Sequence, residues 1–264
     1  MLIDASNQQA RADSLPDADA TLPEASATAP KVSVVIPTLD EERNIAWVLE
    51  RLPALADEVI IVDGRSTDNT IEVARSVRPD IRVVLETQPG KGAALRAGFA
   101  AATGDYIVMI DADGSMDPTE IVRFVDALQD GCDFVKGSRF TEGGGTADIS
   151  RIRQLGNDAL RRAVNALYRT NLTDLCYGFI GFRRARLDAL RLDSQGFEIE
   201  TEMVARAVVA SLRIGEVPSF EAERRHGESH LRAWRDGRRA LKTLLRERFI
   251  LPESRVATGR QAVD

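Results

Sequence analysis

The first half of the chain alternates four times between short, continuously apolar segments and segments that carry helix-start signals. An apolar run of this kind is typical of a strand buried on both faces of a parallel sheet. No hairpin signal joins the repeats, so the pattern predicts an α/β fold, a mostly parallel open sheet flanked by helices. The predicted strands are Lys31–Pro37, Glu58–Asp63, Ile81–Leu85 and Asp105–Asp111, and the predicted helices span about 40–52, 66–77 and 91–102.

The fourth predicted strand ends in two carboxylates, Asp111 and Asp113. Residues i and i+2 of an extended chain share a face, and carboxylate oxygens suit Mg²⁺ or Mn²⁺. The alternative is that these acids cap the next helix, but the segment Asp117–Glu120 has the pattern of a capping box with proline at the first helical position. We therefore predict that Asp111 and Asp113 bind a divalent metal or a metal-bound phosphate.

Ligands of open α/β sheets bind beyond the carboxyl ends of the strands, and polar segments follow all four predicted strands. No glycine-rich dinucleotide fingerprint follows the first strand, and the glycines around Lys91 lack the rest of a P-loop. Both common nucleotide-binding motifs are therefore disfavoured. The polar segments are Pro37–Asp40, Asp63–Ser66, Lys91–Gly92 and Asp111–Asp113.

Composition narrows the class of protein. The 264 residues carry a net charge of -6, which argues against a nucleic-acid partner, since such proteins normally show a basic excess. Cys132 and Cys176 form neither a metal-ligand spacing nor a disulfide framework, which favours the cytoplasm. No apolar run approaches the roughly 18 residues of a membrane span, and no secretory signal pattern is present.

Three regions are predicted along the chain. Residues 1–30 are rich in Ala, Asp, Ser and Pro and are expected to form a disordered tail. Residues 31–230 form the main domain, and residues 231–264 a basic amphipathic helix and tail that either packs or contacts a membrane surface. Within the main domain, Phe134–Arg139 is a predicted strand that runs into the glycine-rich segment Thr141–Asp148, a candidate mobile lid. A second basic amphipathic helix is predicted over 151–169.

Seven motifs in order resemble the family-2 glycosyltransferases of the GT-A fold, over roughly residues 31–248. Within that family, the last three are most similar to the dolichol/polyprenyl-phosphate mannosyltransferase-like branch. The motifs are Val34–Ile45, Val62–Thr70, Gly90–Gly92 and Asp111–Ser115, followed by Lys136–Phe140, Asp174–Phe179 and Arg224–Ser229.

The resemblance implies a role for individual residues. It places the metal between Asp111 and Asp113, with Asp113 bridging it to the diphosphate of a nucleotide-sugar donor. This chain departs from many relatives at Gly64, where they have a second Asp, and at Ser115, where they have Gln or His. Donor contacts are implied for Pro37, Asp40, Glu42, Asp63, Lys91 and Asp111, and acceptor-phosphate contacts for Arg139, Arg153, Asn157 and Arg224.

For two of the candidate residues, the sequence leaves a second role open. Asp63 either contacts the donor or only caps the helix that follows it. Glu200 is the natural general base if the acceptor is a hydroxyl, but an acid at a helix start also stabilises the helix dipole.

The expected enzyme is an inverting, metal-dependent hexosyltransferase that uses GDP-mannose or UDP-glucose. The expected acceptor is a polyprenyl phosphate, which implies a cytoplasmic protein with peripheral membrane contact. The alternative acceptor is a hydroxyl of a small metabolite or secondary-metabolite aglycone. From another class, a non-catalytic sugar-nucleotide-binding protein is a further alternative.

Overall fold

A computed structural model describes residues 29–228 and 232–249 of the chain. All but the last two residues of the predicted N-terminal tail, and the predicted tail after residue 249, lie outside the described residues. The strands are β1 (Val32–Thr38), β2 (Ala56–Asp63), β3 (Arg82–Leu85), β4 (Tyr106–Met109), β5 (Phe134–Ser138), β6 (Gly145–Thr146), β7 (Ile180–Arg183), β8 (Ile214–Pro218) and β9 (Phe220–Glu221). The helices are α1 (Ile45–Glu50), α2 (Thr70–Val77), α3 (Lys91–Ala101), α4 (Ile121–Gln129), α5 (Arg151–Tyr168), α6 (Leu187–Leu190), α7 (Ile199–Val209) and α8 (Ala233–Phe249).

Seven of these strands form one sheet in the order β3-β2-β1-β4-β7-β5-β8. The neighbours β3, β2, β1 and β4 are all parallel, as the alternating pattern predicts. Strand β7 lies between β4 and β5 and runs antiparallel to both, while β5 and β8 are parallel. The predicted α/β architecture, a mostly parallel sheet flanked by helices, is therefore confirmed.

Strand β7 is an element of the main sheet that the sequence does not predict. It is only four residues long, and Gly181 interrupts its apolar pattern. That glycine lies against Phe124 of α4, where a Cβ atom would come within 3.4 Å of the Phe124 side chain. A glycine in so short a run weakens the usual strand signal, so no local pattern marks this segment as a strand.

The helix predicted over 40–52 begins later than expected, at Ile45. Asp40 adopts a left-handed backbone conformation with φ 55°, which ends the strand in a turn instead of starting a helix. The backbone N–H of Glu41 then donates to the hydroxyl of Thr70 at 2.8 Å. The acidic run after β1 therefore joins the loop after β2 before α1 begins.

The glycine-rich segment predicted to be a mobile lid is paired in the structure. Its residues Gly145 and Thr146 form β6, which pairs in parallel with β9 in a separate two-stranded sheet. A Cβ atom on Gly144 would lie 2.4 Å from the carbonyl oxygen of Ser138, so this glycine permits a close backbone approach. The segment is therefore held against the end of β5.

Helix α8 packs on the main domain, with Leu244 buried and the hydroxyl of Tyr168 in α5 donating to the Leu244 carbonyl at 2.8 Å. Beneath it lies a charged cluster centred on Arg206 of α7, which is buried. Arg206 contacts Glu202 at 2.7 Å and Glu247 of α8 at 2.9 Å. Its third partner is Asp193, at 2.9 Å, in the loop before α7.

Both predicted amphipathic helices leave apolar side chains exposed. On α5, Ile152 and Leu155 are 66% and 70% exposed, and on α8 Trp234 is 81% exposed. Across residues 29–228 and 232–249, no helix is both long and apolar enough to cross a membrane.

The packing of α3 on the sheet generates a stability prediction. A Cβ atom on Gly98 would lie 2.4 Å from Val35 Cγ1 in β1 and 2.7 Å from Val62 Cγ2 in β2. Gly98→Ala should therefore lower the free energy of unfolding by about 1–3 kcal/mol, the usual cost of overpacking a core. Equilibrium denaturation measures it.

The matched control is Gly156→Ala on α5, where nothing lies within 4 Å of the added methyl group. This substitution should instead raise stability by about 0.5–1 kcal/mol, because alanine is the better helix former. Equal changes of the same sign at Gly98 and Gly156 would contradict the packing described for α3.

Candidate active site

The loops after β1 and β2 are joined by the side chains that the sequence assigns to the donor. Asp40 Oδ1 accepts a hydrogen bond from the Thr67 backbone N–H at 2.6 Å. Glu42 Oε2 accepts two from Asn69, each at 3.1 Å. Both carboxylates therefore have protein partners, and they fix the shape of the rim on which Pro37, at the end of β1, lies.

Asp63, at the end of β2, closes its own turn. Its carboxylate accepts from the backbone N–H groups of Arg65 and Ser66 at 3.2 Å. Helix α2 does not begin until Thr70, and Asn69 precedes it. Asp63 therefore does not cap α2, which was the alternative given for it. Its carboxylate instead stabilises the turn that precedes this helix.

Lys91, the first residue of α3, joins two carboxylates from distant parts of the chain. Its Nζ lies 2.6 Å from Asp111 Oδ1 and 2.7 Å from Glu200 Oε1. Burial alone would lower the pKa of Lys91, but the two carboxylates outweigh it and raise that pKa above its ordinary value. Lys91 is therefore a charged bridge between the end of β4 and the start of α7.

The pKa of Asp111 is raised above its ordinary value, and burial is the main cause. Burial raises the pKa of Asp111 and the neighbouring Asp113 and Glu200 add to the effect, while Lys91 opposes it. Asp111 Oδ2 accepts no hydrogen bond from any residue that the structure describes. This oxygen is therefore available to a cation.

Asp113 is held by Ser115 and Arg224. Its Oδ1 accepts from the backbone N–H and hydroxyl of Ser115, at 2.9 and 2.7 Å. Its Oδ2 is 3.4 Å from Nε of Arg224, whose Nη1 lies 3.0 Å from Oε1 of Glu41. Ser115 thus orients Asp113, and Arg224 joins it to the loop after β1.

The next helix is capped as the sequence predicts, with one difference. Asp117 accepts from the backbone N–H of Thr119 at 3.0 Å, so neither Asp111 nor Asp113 is needed as a cap. Glu120, expected to complete the capping box, instead reaches Ser219 and accepts from the backbone N–H of Phe220 at 3.3 Å. The cap is therefore formed by Asp117 alone.

The charges of this site suit a divalent cation. Four carboxylates share two cations, each of which pairs with two of the acids, so these six groups carry a formal excess of two negative charges. Among the described residues, neither this site nor any other has three His, Cys, Asp or Glu side chains placed to bind a metal ion without other ligands. Mg²⁺ and Mn²⁺ fit such a site, because they bind through one or two carboxylates and complete their shell with phosphate oxygens. The carboxylates are Glu41, Asp113, Asp111 and Glu200, and the cations are Arg224 and Lys91.

Arg139 has a different environment from the one expected of an acceptor-binding residue. It is 4% exposed and forms a bidentate pair with Asp174, at 2.7 and 2.9 Å. Its remaining nitrogen donates to Glu221 at 2.9 Å, and its guanidinium lies over the Tyr177 ring. Each nitrogen of the guanidinium therefore has a protein partner, and the contact of Arg139 with an acceptor phosphate stays a prediction.

Arg153 and Asn157 of α5 differ in burial and in their hydrogen-bond partners. The Arg153 side chain is 30% exposed and pairs with Asp148 at 3.0 Å. Asn157 is buried, and its Oδ1 accepts from the backbone N–H groups of Leu175 and Cys176 at 3.3 and 3.0 Å. Its Nδ2 has no hydrogen-bond partner among the described residues, so a buried donor is left over.

Glu41 and Glu221 are site residues that the sequence reasoning missed. Glu41 stands between Asp40 and Glu42, and only its pairing with Arg224, far along the chain, sets it apart. Glu221 accepts from Arg139 and from Thr146 at 2.7 Å and thereby joins β9 to β5 and β6. Both roles arise from contacts between distant segments, so no local motif could have revealed them.

The contrast between the two arginines gives a testable prediction. Arg139→Ala leaves the fully buried Asp174 without its counter-ion, so it should lower the free energy of unfolding by about 3–5 kcal/mol. Arg153→Ala removes only a partly exposed pair and should cost less than about 1 kcal/mol. Denaturant titrations of both variants compare them directly. Similar small losses in both would show that Arg139 is not a structural residue.

Comparison with known proteins agrees with this architecture. Residues 33–191 match the family described as Glycosyl transferase family 2. The chain is 32% identical to the glycosyltransferase AglJ of Haloferax volcanii over 205 residues, which are 76% of this chain and 66%, just under two thirds, of that protein. It is 33% identical to an uncharacterized glycosyltransferase of Mycobacterium tuberculosis, over 74% of this chain and 87% of that protein.

Solved structures add a fold match that includes ligands. The chain superposes on glucosyl-3-phosphoglycerate synthase from Mycobacterium tuberculosis in complex with Mn²⁺, UDP and phosphoglyceric acid, with a TM-score of 0.68 and 26% identity. That match covers 84% of this chain and 80% of the other. A complex of the same enzyme with Mn²⁺, UDP-glucose and phosphoglyceric acid gives a TM-score of 0.66 and 27% identity, over 83% and 80% of the two chains. The strand order, the carboxylates at the end of β4 and the sequence match lead to one conclusion: this chain belongs to glycosyltransferase family 2.

Proposed function

We propose that the protein transfers a hexose from a UDP-hexose to a hydroxyl group of a small anionic acceptor, with inversion at the anomeric carbon. The observation that carries this proposal is the position of Glu200. Its Oε1 is held by Lys91 at 2.7 Å, while its Oε2 accepts no hydrogen bond from the described residues. A carboxylate fixed beside the metal site, with one oxygen available, is suited to take a proton from a hydroxyl.

This reading departs from the acceptor first expected from the sequence, a polyprenyl phosphate. The structural neighbour with 26% identity was crystallised with Mn²⁺, UDP and phosphoglyceric acid, a small anionic molecule. A hydroxyl is a poor nucleophile until a base removes its proton, whereas a phosphate monoester is largely a dianion at neutral pH. A base is required by a hydroxyl acceptor and not by a phosphate, and Glu200 is the residue that we propose for this role.

The residues then divide the reaction between them. Asp111 and Asp113 would hold Mg²⁺ or Mn²⁺, which would stabilise the negative charge of the leaving diphosphate. Glu200 Oε2 takes the acceptor proton as the acceptor oxygen bonds to the anomeric carbon and the bond from that carbon to the diphosphate breaks. Attack opposite the leaving group gives inversion. Lys91 and Arg224 would add fixed positive charge to the donor side of the site. The proposal thereby moves Arg224, which pairs with Asp113, from the acceptor contacts that the resemblance implies to the donor.

The acidic group of the acceptor is assigned to α5. The partly exposed guanidinium of Arg153 supplies a planar pair of donors for a phosphate or carboxylate. The unpaired Nδ2 of Asn157 supplies a second donor, whose burial makes an unmade hydrogen bond costly. Arg139 acts indirectly, because it holds Glu221, whose Oε1 lies 3.8 Å from Arg153.

A lipid-linked phosphate is the second candidate acceptor, and one observation favours it. Ile152 and Leu155 flank Arg153 in the chain and are exposed on α5, where an apolar tail could pack. The same feature would give peripheral contact with a membrane.

Assays with UDP-glucose and GDP-mannose, each with a phosphorylated hydroxy acid or with a polyprenyl phosphate, compare the candidates. Nucleotide binding with no transfer under any of these conditions would favour a non-catalytic binding protein.

The metal site gives the first prediction for this function. Asp113→Asn should lower turnover by at least about 10²-fold, because the loss of one charged ligand removes several kcal/mol of transition-state stabilisation. EDTA should do the same to the unaltered protein, and calorimetry should show weaker Mn²⁺–UDP binding by the variant. Asp117→Asn is the control and should retain turnover, because Asp117 caps a helix and pairs with the exposed Arg51, and asparagine is also a good cap. Full transfer with the metal removed would exclude the proposed role of Asp113.

The base gives the second prediction. Glu200→Gln preserves the side-chain shape and an oxygen for Lys91 but cannot accept a proton from the acceptor. With a hydroxyl acceptor, kcat should fall by about 10²- to 10⁴-fold, whereas donor affinity should change little. Glu50→Gln, on the exposed side of α1, is the charge-matched control and should behave as wild type. A loss of less than about fivefold would instead favour an acceptor that is already ionised, such as a polyprenyl phosphate.

A further inference from the structure

Gly178 lies against the ion pair at the centre of the proposed active site. A Cβ atom at this position would be 2.6 Å from Glu200 Oε1 and 3.0 Å from Lys91 Nζ. Non-bonded atoms of this kind normally stay about 3.5 Å apart or more. The backbone of Gly178 is not in the left-handed region, so an alanine could adopt its conformation. The glycine is therefore required for space and not for backbone freedom.

The backbone on either side of Gly178 is held in place. The fully buried Lys136 donates from Nζ to the carbonyl oxygen of Tyr177 at 2.5 Å. The backbone N–H of Gly137 donates to the carbonyl oxygen of Phe179 at 2.9 Å. Both partners belong to β5, which is hydrogen-bonded on both sides, to β7 and to β8. An added methyl group would therefore be accommodated by movement of the side chains and not of this backbone.

Lys91 has little freedom to move on its own side. The backbone N–H of Gly92 donates to the carbonyl oxygen of Gln195 at 2.8 Å, and a Cβ atom on Gly92 would lie 2.3 Å from the Ser194 carbonyl oxygen. The start of α3 is thus packed tightly against the loop before α7. Because Lys91 Nζ is also bound to Asp111, the carboxylate of Glu200 is the group that a methyl on Gly178 would displace.

We propose that Gly178 is a positioning residue that allows Lys91 and Glu200 to meet. Because Lys91 also contacts Asp111, the space at Gly178 allows Lys91 to link Glu200 to the proposed metal ligand Asp111. The consequence for catalysis rests on the function proposed above, in which Glu200 is the base. The geometric consequence, contact between Lys91 and Glu200, does not depend on that function.

The test is Gly178→Ala, measured for folding, Mn²⁺–UDP binding and turnover with UDP-glucose and the best acceptor found. The variant should fold and bind Mn²⁺–UDP as wild type does, but kcat should fall about 10²-fold, the usual effect of a misplacement of about 1 Å. Gly181→Ala, three residues along, is the matched control. Its Cβ would meet only side chains at 3.4 Å or more, so turnover should stay within about twofold of wild type.

A second substitution distinguishes positioning from general damage. Glu200→Asp shortens the side chain by one methylene and leaves room for the new methyl group. In the Gly178→Ala background it should raise kcat at least about fivefold, although in the wild-type background it lowers kcat. Such non-additivity is expected only of residues in contact. Independent effects of the two substitutions would overturn the proposal.

A crystal structure of Gly178→Ala provides a measurement that needs no activity. The Lys91 Nζ to Glu200 Oε1 distance, 2.7 Å in the unaltered protein, should exceed 4 Å. A variant that keeps the short contact, or that turns over as fast as wild type, would overturn the role of Gly178. Failure of the wild-type protein to transfer from any UDP-hexose, with the ion pair still broken in the variant, would overturn the proposed function alone.

Discussion

Repulsion between carboxylates is the constraint on which this site depends. Asp111 and Asp113 follow one short strand, and the fold brings Glu41 and Glu200 beside them. Lys91 and Arg224 stand between the acids, and each binds two of them. Since α3, α7 and the segment after β9 supply these partners, the arrangement ties distant parts of the chain to the end of β4. A divalent cation would balance the excess negative charge of these acids. Together with Lys91 and Arg224, it would also bind the negative charge of a donor diphosphate.

The parts of the fold and site that the sequence predicts are those with a local cause. Continuous apolar runs predict β1, β2, β3 and β4, and the rule that ligands bind beyond parallel strands directs attention to Asp111, Asp113 and Lys91. Strand β7 is missed because it is only four residues long and Gly181 interrupts its apolar pattern. The antiparallel direction of β7 and the pairing of Glu41 with Arg224 depend on tertiary contacts, which neither periodicity nor spacing contains.

Arg139 and Arg153 show the same limit at the level of single residues. Both resemble acceptor-binding arginines by sequence, and each pairs with carboxylates in the structure. Burial separates them, since the guanidinium of Arg139 is enclosed by Asp174 and Glu221 whereas that of Arg153 is partly open to solvent. A motif records that an arginine is present, but the surrounding charges decide whether it has hydrogen bonds left for a ligand. The acidic neighbours of Arg139 therefore hold its guanidinium in place, whereas part of Arg153 is exposed to a ligand.

The charged cluster under α8 has a consequence for the order in which the protein is completed during synthesis. Arg206 emerges from the ribosome well before Glu247, its partner on α8. Until that helix arrives, Arg206 and the acids Asp193 and Glu202 form an incomplete network next to the loop whose Gln195 carbonyl caps α3. Lys91 begins that helix. The nascent chain thus carries every residue named in the site before it carries α8, whose Glu247 completes the charged network beside this loop.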